Sequence, residues 1–267
     1  MKRAPAVAGS FYPGNAQELR EEVERLLGRG TKEQRAYGAV APHAGYVYSG
    51  KVAGEVFGRL AIPSTVVVLN PNHTGAGRPF AVWPEGTWST PLGEVRVDEA
   101  LARELIEECP PLVAEERAHM REHSGEVMLP FLQMRRADVS VVVIVVDMTE
   151  LATLQELGRK IGTVLGRREE RPLIIASSDM THFKSEEAAR RQDKLAIEAM
   201  VKLDEVELYE VVEGRGITMC GIAPATTAIA AVKQMGARKG ELVKYDTSAS
   251  ASGDTSSVVG YAGLIFS

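Results

Sequence analysis

Residues 139–146 read VSVVVIVV, apolar at every position but one. The run is far too short to cross a membrane and has no polar alternation that would give it a wet face. It therefore predicts a β-strand covered on both sides. RPLIIASSD (171–179) is a second run of this kind, and YGAVAP (37–42) and STVVVLNP (64–71) are short β-branched runs, each stopped by a proline. Between and after these lie helical patterns. In 16–28, Leu19, Val23, Leu26 and Leu27 share one face and Gly28 supplies a C-terminal stop. Further patterns cover 50–60, 98–108, 150–166, 185–202 and 222–236. Strand and helix in alternation predict an α/β chain, a single three-layer α/β/α domain over residues 1–267 with a largely buried mixed sheet. FAVW (80–83) and GEVRV (93–97), joined through STPLG, are expected to form a β-hairpin, and VVGYAGLIF (258–266) a last strand.

Composition excludes some classes of function. Net charge is −5 and no dense Lys/Arg stretch occurs, which argues against nucleic acid or an anionic membrane as partner. Cys109 and Cys220 are too few for a disulfide framework, and the N-terminus has no apolar core of a signal peptide. The expected location is the cytoplasm. Cys109, before two prolines, is expected to be buried as a small hydrophobe.

Functional residues of such sheets gather just past the carboxyl ends of strands. Those loops are APHAGYVYSG (41–50), NPNHTG (70–75) and SSDMTHF (177–183), and each carries one histidine: His43, His73 and His182. Neutral imidazoles from adjacent strand ends suit a late transition metal, which makes His43 and His73 candidate ligands. Asp179, three residues before His182, is placed to orient that ring as a base or ligand. His119 and His123 have HxxxH spacing; His119 is expected on an exposed helical face. His123, with Glu126 three residues on, stands between a site role and a capping arrangement around Ser124. Tyr12, Tyr46 and Tyr48 lie in or beside these loops, either lining a pocket or packing with an anchored hydroxyl. Cys220, before a helix start, is open to three readings: a buried thiol, a nucleophile with His182 and Asp179, or a ligand with His43 and His73.

Seven segments in order, AVAGSFYPG, APHAGYVYSG, NPNHTG, EHSGEVMLPFL, SSDMTHF, MCGIAP and SSVVGYAGLIF, resemble the Memo family along nearly the whole chain. The resemblance implies the α/β fold of class III extradiol dioxygenases, non-haem iron enzymes that hold iron with two histidines and a glutamate. By motif, His43 and His73 match the metal-binding histidines, His182 the acid/base histidine, and Cys220 stands where those enzymes have their glutamate. It thus implies one transition-metal ion, iron or copper with zinc as a further option, and redox chemistry on an unidentified small molecule. Thiolate is softer than carboxylate, so ring cleavage does not carry over with the fold. Memo proteins of animals resemble adaptors for phosphotyrosine peptides, which implies as alternative a peptide-binding module with a vestigial cleft. Only Arg3, Lys51 and Arg78 lie near the histidine loops in sequence to receive a phosphate. Prokaryotic relatives accompany a radical SAM protein and an AMMECR-like protein, which the resemblance implies as partners. A third reading, a cysteine hydrolase using Cys220 and His182, leaves His43 and His73 idle.

Overall fold

In the computed structural model, which describes residues 1–28 and 32–267, the apolar runs form the middle of a large mixed sheet. Four parallel strands lie side by side in the order Ser140–Val146, Thr65–Asn70, Leu173–Ser177, Gly38–Ala41. Nearly every residue in them is buried, as continuous apolar strands require. The register pairs Leu69 with Ala176 and Ala41 with Ser177, so three strands end level, at one edge of the sheet. Val258–Phe266 adds antiparallel to Gly38–Ala41, pairs near its start with the short His182–Lys184 strand on that same edge, and carries Gly240–Thr247 on its other edge.

Helices cover both faces. Gly38, paired with Phe266, faces Val232 of the helix Ile222–Met235. Gly263 alternates to the other face and meets Val52 and Val56 of the helix Tyr46–Arg59. Ile222–Met235 is apolar nearly all round because it lies between the sheet and the helix Leu151–Gly166. On the opposite face Tyr46–Arg59 packs with Ala16–Leu27, which begins where the Asn15 side chain accepts from the Gln17 and Glu18 N–H groups. No helix among the described residues is long and apolar enough to cross a membrane. The expected mixed α/β fold, a large mixed sheet flanked by helices, is present.

The expected hairpin forms with a different partner. Gly93–Val97 pairs antiparallel with Thr87–Thr90 across a tight turn at Pro91 and Leu92, and Gly93, the first residue after it, has φ 122°. Phe80–Val82 instead lies antiparallel to the end of Ser140–Val146, pairing with Ile144, Val145 and Val146. FAVW is buried throughout, whereas GEVRV exposes alternate residues, so the two do not share one environment. Two elements carry no clear periodic signal and emerge only in the fold: the helix Glu205–Arg215, capped by Asp204, and the edge strand Gly240–Thr247. Cys109 is buried as expected.

Candidate metal centre

The level strand ends deliver their loops to one place. His43 follows Gly38–Ala41 by two residues and is almost fully buried. Its Nδ1 lies 2.7 Å from the hydroxyl of Ser177, the last residue of the neighbouring strand. That hydroxyl has a single hydrogen, which it donates to the Ser124 carbonyl at 2.7 Å. Ser177 must then accept from His43, so Nδ1 carries the proton and Nε2 presents its lone pair. Burial and the neighbouring imidazoles hold the His43 pKa well below its ordinary value, so the ring is neutral at pH 7.

His73, past the end of Thr65–Asn70, is fixed twice by one carboxylate. Its backbone N–H donates to Glu122 Oε2 at 2.6 Å, and Nδ1–H donates to Oε1 at 2.9 Å. Its Nε2 is likewise left with a free lone pair. Oε1 also accepts from the Ser124 N–H (3.0 Å) and hydroxyl (2.6 Å). Burial would raise the Glu122 pKa, but hydrogen bonds from His73 and Ser124 outweigh it and hold it down at about 2. The next residue, His123, places Nδ1 3.5 Å from the same oxygen, and burial lowers its pKa too. Ring centroids are 5.0 Å apart for His43–His73, 4.6 Å for His73–His123 and 5.4 Å for His43–His123. Donor atoms of these three histidines all lie within 4.8 Å of one another. Imidazoles held in tautomer by an anionic carboxylate and a serine form a donor set that fits a transition-metal ion.

Cys220 reaches the Nε2 of His43 as well. Its Sγ is 3.3 Å from His43 Nε2 and accepts the Asp179 N–H at 3.3 Å. Burial, then the Asp179 carboxylate, push the thiol well above its ordinary pKa. Gly221 explains the sequence after it: a Cβ there would sit 2.3 Å from the Ser177 carbonyl oxygen and 2.4 Å from Ser178 Cβ. Only a glycine lets this backbone lie against the strand end and carry Cys220 to the site.

Asp179 makes its bonds to His43 rather than to His182. Its Oδ1 accepts the His43 N–H at 2.8 Å, Oδ2 lies 3.9 Å from His43 Nε2, and burial raises its pKa to about 6. His182 is oriented by Thr218 instead, whose hydroxyl accepts its N–H (2.7 Å) and whose carbonyl accepts Nδ1–H (2.8 Å). Its Nε2 is therefore free to take a proton.

Glu126 turns away from the histidines. Its carboxylate is fully buried among Arg3, the Ala6 and Val7 N–H groups, and the Tyr12 hydroxyl at 2.6 Å. The Tyr46 hydroxyl donates to the Val127 carbonyl at 2.7 Å, so Tyr12 and Tyr46 are packed with anchored hydroxyls, while Tyr48 is exposed. His119 reverses expectation: the segment is a series of turns, not a helix, and its ring is fully buried between Trp83 and Trp88. Glu122 was not singled out from the sequence; the letter next to His123 gives no sign that its carboxylate bridges to His73.

A family model described as Memo-like protein matches residues 3–265. A MEMO1 family protein of Aquifex aeolicus is 45% identical over 99% of this chain and 98% of its own length. One of Methanopyrus kandleri is 42% identical over 100% of this chain and 99% of its own. Among solved structures, an uncharacterized protein of Escherichia coli K12 shares the fold at TM-score 0.59 and 16% identity, covering 85% of this chain and 98% of that one. The chain belongs to the Memo-like family.

Proposed function

We propose that this protein is a metal-dependent enzyme carrying out redox chemistry on a small molecule, with one transition-metal ion held by His43, His73 and His123 and with Cys220 as a further donor beside His43. The observation that supports this most directly is the pair of fixed tautomers. Ser177 and Glu122 accept hydrogen bonds from Nδ1–H of His43 and His73, so that both Nε2 lone pairs are available to one centre. An ion bound there would supply Lewis-acid or one-electron chemistry. Imidazole with a soft sulfur beside it suits iron, copper or zinc.

The chain's own residues divide the remaining work. Glu122 keeps its charge and holds His73 from behind, with His123 as the next residue in the chain. Asp179 fixes the backbone of His43. His182, committed at Nδ1 to the Thr218 carbonyl, offers Nε2 to a proton of the substrate, the part of a general acid/base. Phosphopeptide binding is less well supported. Arg3 is used up by Glu126, and Lys51 lines a separate groove with Arg25, Glu55 and Arg59.

Protein purified without oxygen should contain about one transition-metal ion per chain. The His43→Ala/His73→Ala double variant should contain none, and equal metal content in the two would sink the proposal.

A further inference from the structure

We infer that Arg3 is a positioning residue for the metal centre: its guanidinium fixes the segment that carries Glu122 and His123, and so sets the third histidine. The inference rests on the metal reading above. Residues 119–125 form neither helix nor strand, so no ladder of backbone hydrogen bonds holds this part of the site in place. Arg3 supplies the missing constraint. Its Nε donates to the His119 carbonyl at 2.8 Å, Nη2 to the Glu122 carbonyl at 2.5 Å, and Nη1 to Glu126 Oε2 at 2.6 Å. The three acceptors come from both ends of one short segment, and a planar fork meets all of them at once.

The guanidinium is itself held. It lies over the Trp88 ring at 4.1 Å from the centroid, and both Arg3 and Glu126 are completely buried. Glu126 closes the arrangement by accepting from Ala6, Val7 and Tyr12 of the same N-terminal segment. Phe11 then packs on the His123 ring at 4.8 Å between centroids. A buried ion pair is weak evidence for stability, since desolvation offsets much of the attraction. It does fix geometry, and the geometry here ends at a metal-site imidazole.

The test is anaerobic Co(II) titration followed by visible absorption. Arg3→Lys keeps a charge for Glu126 but cannot meet all three acceptors. It should bind Co(II) about 10- to 100-fold more weakly and show the ligand-field bands of His123→Ala. Because Arg3 acts on the metal through the segment that also carries His123, Arg3→Lys/His123→Ala should lose less affinity than the two single losses combined. Losses that add, or wild-type affinity and bands in Arg3→Lys, would overturn the inference. If Arg3→Lys lacks native circular dichroism, Arg3→Met/Glu126→Gln removes the charge pair together and is judged by the same outcomes. Leu105→Ala, a core truncation on the helix Glu99–Glu108, should keep wild-type bands. If it shifts them as Arg3→Lys does, Arg3 acts only through general stability and the inference fails. Absence of Co(II) binding by the wild type would instead overturn the metal reading on which it rests.

Discussion

Glu122 accepts twice from His73, from the backbone N–H at 2.6 Å and from Nδ1–H at 2.9 Å. One carboxylate thus sets both where the histidine backbone sits and which ring nitrogen is bare. Glu122→Gln keeps the shape but loses the charge and turns one end into a donor. Metal affinity, measured by competition with a chelator, should fall about 10- to 100-fold. Unchanged affinity would mean that His73 needs no such partner.

Ser177→Ala removes the acceptor that fixes the His43 tautomer. It leaves a buried Nδ1 and the Ser124 carbonyl without their shared partner. The expected cost is about 1–3 kcal/mol of stability, read from urea unfolding, together with about tenfold weaker metal binding. Restoring the hydroxyl with Ser177→Thr should recover affinity if the tautomer is what matters.

His119 predicts acid sensitivity apart from the metal. Burial lowers its pKa from 6.5 to about 4, so the unfolded chain takes up this proton at higher pH than the native one. Stability from keeping the ring neutral is full above pH 6.5, declines as pH falls, and levels off below about 4. The shift corresponds to about 3 kcal/mol. His43 and His123, lowered for the same reason, act in the same direction. Urea unfolding between pH 4 and 7 should show a shallower decline in His119→Phe, which keeps a ring between the two tryptophans without a titrating group. An identical slope would remove His119 from the account.

Gly221→Ala should destabilise by about 1–3 kcal/mol, the usual range for overpacking, because the methyl would meet the Ser177 carbonyl and Ser178. Cys220 would be displaced with it. Urea unfolding should therefore show a lower midpoint, and reaction of the Cys220 thiol with iodoacetamide in native protein should accelerate.

The sequence carried the sheet and its functional edge because both depend on local patterns. Uninterrupted apolar strands announce a doubly covered sheet, and a histidine just past each of three such strands needs no knowledge of the partner. What it did not carry depends on contacts across the chain. Glu122 looks like any surface carboxylate until His73, 49 residues earlier, comes to rest on it. Arg3 looks like a solvated terminus residue until Glu126 and Trp88 enclose it. His119 shows the opposite error: a polar letter among charged ones suggested exposure, but two tryptophans from a separate excursion of the chain cover the ring. The hairpin partner of Gly93–Val97 was missed for a related reason, since Phe80–Val82 answers to the edge of the central sheet rather than to its neighbour in sequence.

The strand Gly38–Ala41 is made well before both of its neighbours, Leu173–Ser177 and Val258–Phe266. A ribosome-bound chain therefore displays an apolar ribbon with two open edges, the state in which strands pair with strangers. Its second edge stays open until Val258–Phe266 is made. Truncation before Val258 would leave that edge bare and give a chain recruited by chaperones or inclusion bodies.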